Sequence, residues 1–322
     1  MYYNNLPKTS LKVSALCLGT MMFGAQTNEA DAIAIMDYCA SNGVNFFDTA
    51  DVYNQGESER IVGKALKGRR NDIILATKVN GQMSDNPNDR GLSRRHILSA
   101  VDESLSRLNT DYIDLYYMHA PDYGTDLEES IDTMSGLVRA GKVRYIGVSN
   151  FAAWQIADLL AICDKRGYVA PIITQNVYNA LTRGVETELV PFLSAHRMGM
   201  AVYNPIAGGL LSGKHKPGQP MQNTRFAFDS NYANRYWSDE NFEAVSALEK
   251  IAAENGMSIL ELALKWVASR KVVTSVISGV SRLEQIQQNI ALLDDTNFPE
   301  DAAKACDEIW RSLAGTRFAY NR

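Results

Sequence analysis

The chain predicts an α/β fold: a (β/α)8 TIM barrel with an N-terminal β-hairpin and an extra C-terminal helix and tail. Three observations point there. Eight short apolar runs alternate with amphipathic, helix-length segments along most of the 322 residues. The starts of those runs recur every ~30 residues over the first two thirds, the length of one βα unit. The first turn, GTMMFGAQT, lacks the GxGxxG loop that opens a doubly wound dinucleotide-binding sheet.

Taken in order, the strand candidates are SALCLG, VNFFD, DIILATK, YIDLYYMH, VRYIGVS, IITQNV, GMAVYN and VTSVIS. Between them lie helical patterns such as DAIAIMDYCASNG, LEESIDTMSGLVRAG and AAWQIADLLAICDKRG. In SRRHILSAVDESLSRLN, Leu98, Val101, Leu105 and Leu108 recur at helical spacing and predict one buried stripe. Gly43, Gly141 and Gly167 stand just past the last periodic residue of their helices, where C-terminal caps fall. Residues 2–14 predict a hairpin across the barrel floor, with Pro7 in its turn. From Pro205 to Ser238 runs an irregular insertion with four glycines and few helix signals, and a loop that long is usually functional or disordered. The tail LAGTRFAYNR is a second irregular piece. No linker or low-complexity segment divides residues 1–322, so a single domain is expected.

Composition excludes several classes of function. The chain is 46% hydrophobic and 21% charged, with mean hydropathy −0.21, as expected of a globular protein in water. Nothing approaches the ~20 consecutive apolar residues of a membrane span. The N-terminus has no long apolar stretch of the secretory kind. Cys17, Cys39, Cys163 and Cys306 are scattered, without metal-ligand spacing, and read as buried thiols in a reducing cytoplasm. A net charge of −5 without a basic stripe argues against nucleic acid as a partner.

The polar ends of the predicted strands carry the chemistry. In a βα barrel such residues share one mouth. Asp48 ends VNFFD and Tyr53 follows it; Lys78 ends DIILATK; His119 ends YIDLYYMH. Consecutive strands ending in a carboxylate, an ammonium and an imidazole are not explained by solvated strand ends. A phenol has an unperturbed pKa of ~10 and is a poor acid at neutral pH. A nearby ammonium stabilises the phenolate and is expected to lower that value. Lys78 does this if Asp48 holds it, and neutral His119 orients a carbonyl oxygen toward Tyr53. No side chain supplies hydride, so a nicotinamide cofactor is needed. Asp51 reads as a solvated or capping residue.

FFDTADVYN, ATKV, YYMHAP, GVSNF, TQNVYN, YNPIAGGLLSGK and SGVSRLEQIQQN together resemble the aldo-keto reductase superfamily, over about residues 10–290. The resemblance implies that Asp48, Tyr53, Lys78 and His119 form a catalytic tetrad with Tyr53 as proton donor, and that NADPH lies with its nicotinamide at the barrel mouth. It implies that Ser149, Asn150 and Gln175 bond the carboxamide and that Tyr203 stacks on the ring. Gly19, Thr20, Met21 and Gln26 would line the reactive end of the cofactor, beside Asp48. The loop Asn204, Pro205, Ile206, Ala207, Gly208 suits a pyrophosphate because glycines let backbone N–H groups approach an anion, and Lys214 adds charge. Arg225 is a candidate clamp on the diphosphate. After Gly279, Ser281 is expected to cap the following helix, whose N-terminus suits a phosphate. Arg282 beside it favours the 2′-phosphate of NADPH, while Gln285, Gln288 and Asn289 are placed to meet adenine or ribose.

HAPDYGTDLEES, SNFAAWQIADLLAIC and QNVYNALTRGVETELVPFL resemble the branch of aflatoxin-aldehyde and succinic-semialdehyde reductases. Met22, Trp154, Trp237 and other aromatics are expected to wall a substrate pocket. Arg235 and Arg322 are candidates to hold a substrate carboxylate. The expected partner is a small-molecule carbonyl substrate, and the branch implies a homodimer. The rival is a binding module that senses nicotinamide cofactor with little turnover. A metal-dependent hydrolase is disfavoured, since only His119 of the four histidines ends a predicted strand.

Overall fold

The computed structural model describes residues 1–218, 220, 222, 224–228, 230–295 and 297–315. Strands β1 (Tyr3–Asn5) and β2 (Lys12–Ser14) pair antiparallel as the expected hairpin. Pro7 lies between them, and Asn4 Nδ2 donates to the carbonyl of Thr274 at 3.0 Å. The barrel follows in chain order: β3 (Leu16–Gly19), β4 (Phe46–Asp48), β5 (Ile74–Val79), β6 (Ile113–Met118), β7 (Val143–Ser149), β8 (Ile173–Val177), β9 (Gly199–Tyr203) and β10 (Val273–Gly279). All eight run parallel, and β10 closes the ring against β3 through Val276 beside Leu16. The α/β barrel read from the sequence is the observed fold.

The helices α1 (Glu29–Ser41), α2 (Glu57–Ala65), α3 (Arg94–Leu108), α4 (Leu127–Arg139), α5 (Ala153–Arg166) and α6 (Leu189–His196) come between the barrel strands. Their starts obey local chemistry. Asn28, Ser93 and Asp126 each accept a backbone N–H from the first turn of α1, α3 and α4, satisfying donors the helix itself cannot. Gly167 ends α5 at φ 68°, as its position predicts. One stripe differs from expectation. Leu98 is 44% exposed, whereas Val101 and Leu108 are buried as expected, Leu105 is half-buried, and Ile97 and Ala100 join the buried face. Leucine spacing alone misplaced Leu98, because Ile97 beside it and the small Ala100 pack inward.

The insertion differs too. It holds two short helices, α7 (Arg225–Phe228) and α8 (Ser230–Tyr236), before α9 (Asp239–Glu254) and α10 (Ile259–Ala268). Their signal is tertiary: the His215, Phe226, Trp237 and Phe242 rings stack pairwise at 5.0–5.4 Å between centroids. Helices α11 (Leu283–Leu292) and α12 (Glu300–Ala314) complete the described chain. Arg322 lies outside the described residues.

Strand parity positions the site. Side chains alternate between the barrel interior and the helix layer. Phe46, Ile74, Ala76, Leu115, Ile173 and Ala201 fill the interior. Residues of the same parity further along each strand, Asp48, Lys78, Gln175 and Tyr203, therefore arrive inside at the C-terminal rim. The opposite parity, Thr77 and Tyr116 among it, faces the helices.

Candidate active site

The four strand-end residues converge. Lys78 Nζ donates to Asp48 Oδ1 at 2.5 Å, to the carbonyl of Thr49 at 2.7 Å and to the Tyr53 oxygen at 3.1 Å. All three ammonium donors are thus satisfied, and the Lys78 side chain has no exposed surface. Asp48 Oδ2 accepts from Gln175 Nε2 at 2.8 Å. Tyr53 and His119 rings meet edge to face, centroids 5.9 Å apart.

Electrostatics decide the protonation states. Burial disfavours charge on Lys78, but Asp48 and Tyr53 outweigh it and hold the ammonium above its ordinary range. Asp48 is pushed up by burial and pulled back by Lys78. Tyr53 departs from expectation. Burial raises its phenol, and Lys78, acting in the expected direction, only opposes that rise. The Asp48 charge offsets part of the Lys78 field, so the phenol stays protonated in the free protein. His119 is lowered to about 3 by burial and by Lys78, so its imidazole is neutral at neutral pH.

A buried web supports the rim. The Thr20 and Thr49 hydroxyls lie 2.8 and 3.0 Å from that of Ser58, and Ser58 donates to the carbonyl of Thr20 at 2.9 Å. On the far side Asn150 Nδ2 donates to the carbonyl of His119 at 3.0 Å and to Ser149 Oγ at 3.1 Å. The Tyr203 hydroxyl donates to Asn150 Oδ1 at 2.7 Å. Ser149, Asn150, Gln175 and Tyr203, predicted as one group, do stand together beside His119. That Gln175 also grips Asp48 was missed, although both end strands of inward parity.

The family model for the aldo/keto reductases matches residues 15–311. The chain belongs to the aldo/keto reductase family. It is 40% identical over 301 residues to a probable voltage-gated potassium channel subunit beta of Arabidopsis thaliana, covering 91% of this chain and 92% of that protein. It is 39% identical over 305 residues, 91% of each chain, to the oxidoreductase YrpG of Bacillus subtilis. Aflatoxin B1 aldehyde reductase member 2 of Homo sapiens is 35% identical over 321 residues, 93% of this chain and 87% of that one. The branch read from the sequence is thus among the relatives. Membership makes the protein an oxidoreductase of a family that uses a nicotinamide cofactor, typically NADPH, on small carbonyl compounds. No described helix is long and apolar enough to cross a membrane, and no described cluster of His, Cys, Asp and Glu could hold a metal.

The loop after β9 and the turn after β10 follow the C-terminal ends of their strands, the rim on which the tetrad stands. Asn204 and Ala207 have φ of 54° and 50°, Gly208 and Gly209 of 69° and 113°. Ile206, between Asn204 and Ala207, has φ −108°, and the Ala207 and Gly209 N–H groups donate within the loop, to the carbonyls of Asn204 and Ile206 at 3.0 and 2.9 Å. Asn204 Nδ2 is buried without a partner. A Cβ on Gly208 would come within 2.7 Å of the Tyr232 ring. Pro205 is buried and Ile206 half-buried beneath the loop. Arg225 reaches over from the insertion: Nη1 donates to the Tyr232 hydroxyl at 3.0 Å, and Nη2 lies 3.1 Å from Met22 Sδ and 3.7 Å from Met21 Sδ. Met21, Gln26, Lys214, Arg282 and Gln288 are exposed, and so is Gly279.

Three expectations are revised. Ser281 does not cap α11; Arg282 is the capping position, and Gln285 Oε1 accepts the N–H groups of Ser281 and Arg282 at 2.9 and 3.2 Å. Asn289 is buried and bonded to Ser278 Oγ at 2.9 Å, pointing into the fold. Trp237 donates to the carbonyl of Gly218 at 2.6 Å and stacks in the insertion's aromatic cluster, so it packs the insertion more than it walls an open pocket. Trp154 remains 62% exposed on the rim.

Proposed function

We propose that the protein reduces small aldehydes to alcohols with NADPH, using Tyr53 as general acid, and that carboxylated aldehydes such as succinic semialdehyde are among its substrates. The observation that carries this is the Lys78 ammonium, 3.1 Å from a protonated phenol that faces a neutral imidazole. Bound nicotinamide supplies a hydride to the carbonyl carbon. Tyr53 gives its proton to the carbonyl oxygen, and Lys78, anchored by Asp48, stabilises the phenolate left behind. His119 positions that oxygen with a neutral N–H.

Residues Ser149, Asn150, Gln175 and Tyr203 would hold the nicotinamide end. The loop 204–209 with Arg225 would hold the diphosphate, an anion stronger as an acceptor than the methionine sulfurs Arg225 now meets. Arg282 would take the 2′-phosphate. The unpartnered Asn204 amide and the space Gly208 leaves support the fit.

Arg235 supports the substrate class. It is exposed, its guanidinium stands 5.6 Å over the Tyr232 ring, and it has no acidic partner within 4 Å among the described residues. A charge-assisted hydrogen bond is worth about 1.5–3 kcal/mol, or roughly ten- to hundredfold in kcat/KM. Arg235→Ala should lower kcat/KM for succinic semialdehyde by that factor and leave butanal within about twofold. An equal effect on both aldehydes overturns the carboxylate assignment.

The second reading, a cofactor-sensing module with little turnover, is not favoured by the relative named as a channel subunit, which shares the family fold. Multiple turnovers of NADPH with 4-nitrobenzaldehyde decide for the enzyme, and a single slow turnover decides for the sensor.

A further inference from the structure

Asp51 is not the solvated or capping residue its sequence context predicts. It is fully buried, and its position explains why. Its backbone N–H donates to the carbonyl of Lys78 at 3.2 Å, continuing the β4–β5 ladder begun by Thr49 N–H to Ala76 O at 2.9 Å. The next turn is then pinned by Tyr53 N–H to Ala50 O at 3.2 Å. Asp51 is therefore the last ladder residue before the acid.

Its carboxyl lies among charged groups from the helix layer. Glu59 of α2, also fully buried, accepts from Thr77 Oγ1 at 2.6 Å and from Arg107 Nε of α3 at 2.7 Å. Those two bonds occupy both Glu59 oxygens, and Arg107, shared with Glu103, is its ion-pair partner. The groups whose charge Asp51 feels are Glu59, Arg107 and Lys78, and the buried Tyr116 hydroxyl lies in the field of Asp51 and Glu59. Asp51 Oδ1 accepts the Val52 N–H at 2.6 Å, while Oδ2 is buried without a partner. Arg107 and Lys78 are already matched to Glu59 and Asp48. A second carboxylate here would be an uncompensated buried charge, which costs far more than an unpaired neutral oxygen.

We infer that Asp51 is held as a neutral carboxylic acid and is a positioning residue for Tyr53: its protonated form lets the turn from Thr49 to Tyr53 pack against the Glu59–Arg107 pair, and its ionisation loosens that turn. Burial, then Glu59, push its pKa up to about 8, opposed by the Val52 N–H, Arg107 and Lys78. The sign follows. An unfolded aspartate loses its proton at ~3.9, whereas the folded chain keeps it to about 8. Between those values the folded state binds more protons, so stability falls as pH rises.

The test is Asp51→Asn, which keeps the shape and removes the titration. The melting temperature of the variant relative to the parent should climb from pH 4 to about 8 and then level off. A pH-independent difference overturns the neutral carboxyl, whatever constant offset the amide brings, and needs no enzymatic activity. For positioning, kcat/KM of the parent should break downward near pH 8, and the break should be absent in Asp51→Asn. The same break in both overturns that role. This kinetic arm rests on the proposed function: a parent without turnover defeats that reading, while the melting arm still reads the proton. If Asp51→Asn does not fold, 13C-carboxyl spectra of aspartate-labelled parent protein should contain a resonance titrating near 8, and titration of every aspartate below pH 6 overturns the inference.

Discussion

The strand-end tetrad and the insertion after β9 face the same mouth but are built on different principles. Asp48, Lys78 and Gln175 sit on adjoining or facing strands of a closed barrel, each held by at least one short bond to another member. Their frame is the backbone ladder, which cannot shift by one residue without turning each side chain to the other face. The insertion has a small aromatic core of its own around His215 and Trp237, and touches the loop after β3 through Arg225 on two sulfurs. Sulfur is a weak acceptor. The proposed chemistry rests on rigid elements, and the insertion proposed to meet cofactor and substrate rests on replaceable contacts.

Three substitutions break or sharpen that contrast. Tyr53→Phe removes the acid and leaves the ladder, so kcat should fall about 10²–10⁴-fold with the melting temperature and NADPH Kd little changed. A fall in KM-weighted affinity instead of kcat would place Tyr53 in binding. Lys78→Met leaves Asp48 buried without its cation, and breaking a buried pair costs about 3–5 kcal/mol. Denaturant melts should register that loss together with the loss of turnover; an unchanged midpoint would mean that water reaches Asp48. Gly208→Ala acts on the insertion side only. Its Cβ meets Tyr232 in a left-handed conformation, and strain of about 1–3 kcal/mol should raise the NADPH Kd by roughly five- to hundredfold with kcat at saturating NADPH preserved. An equal loss in kcat would show that the two regions are coupled.

Much of the site was legible in the residues because parity and strand ends are local properties. VNFFD, DIILATK and YIDLYYMH each place one polar residue after an apolar run, and the fold brings those ends together. The helix after β10 was read less well: Ser281 is a good capping type, but Gln285 reached back first and took both N–H groups. Asn289 was misread because a helical period does not say which face is inward. Asp51 was misread for a related reason. A carboxylate after a strand is normally solvated, and only the packing of α2, the next helix, and of α3, farther along the chain, surrounds it with Glu59 and Arg107.

The sequence by itself determined the barrel, its strands and the four groups at its mouth, since each depends on periodicity and residue type within one βα unit. Tertiary structure alone decided which charges matter. Burial keeps the Tyr53 phenol protonated against the pull of Lys78, and the pairing of Arg107 with Glu59 and of Lys78 with Asp48 leaves Asp51 with no cation of its own. Desolvation and Coulomb fields depend on what surrounds a group in space, and that is set only when the helices close over the strands.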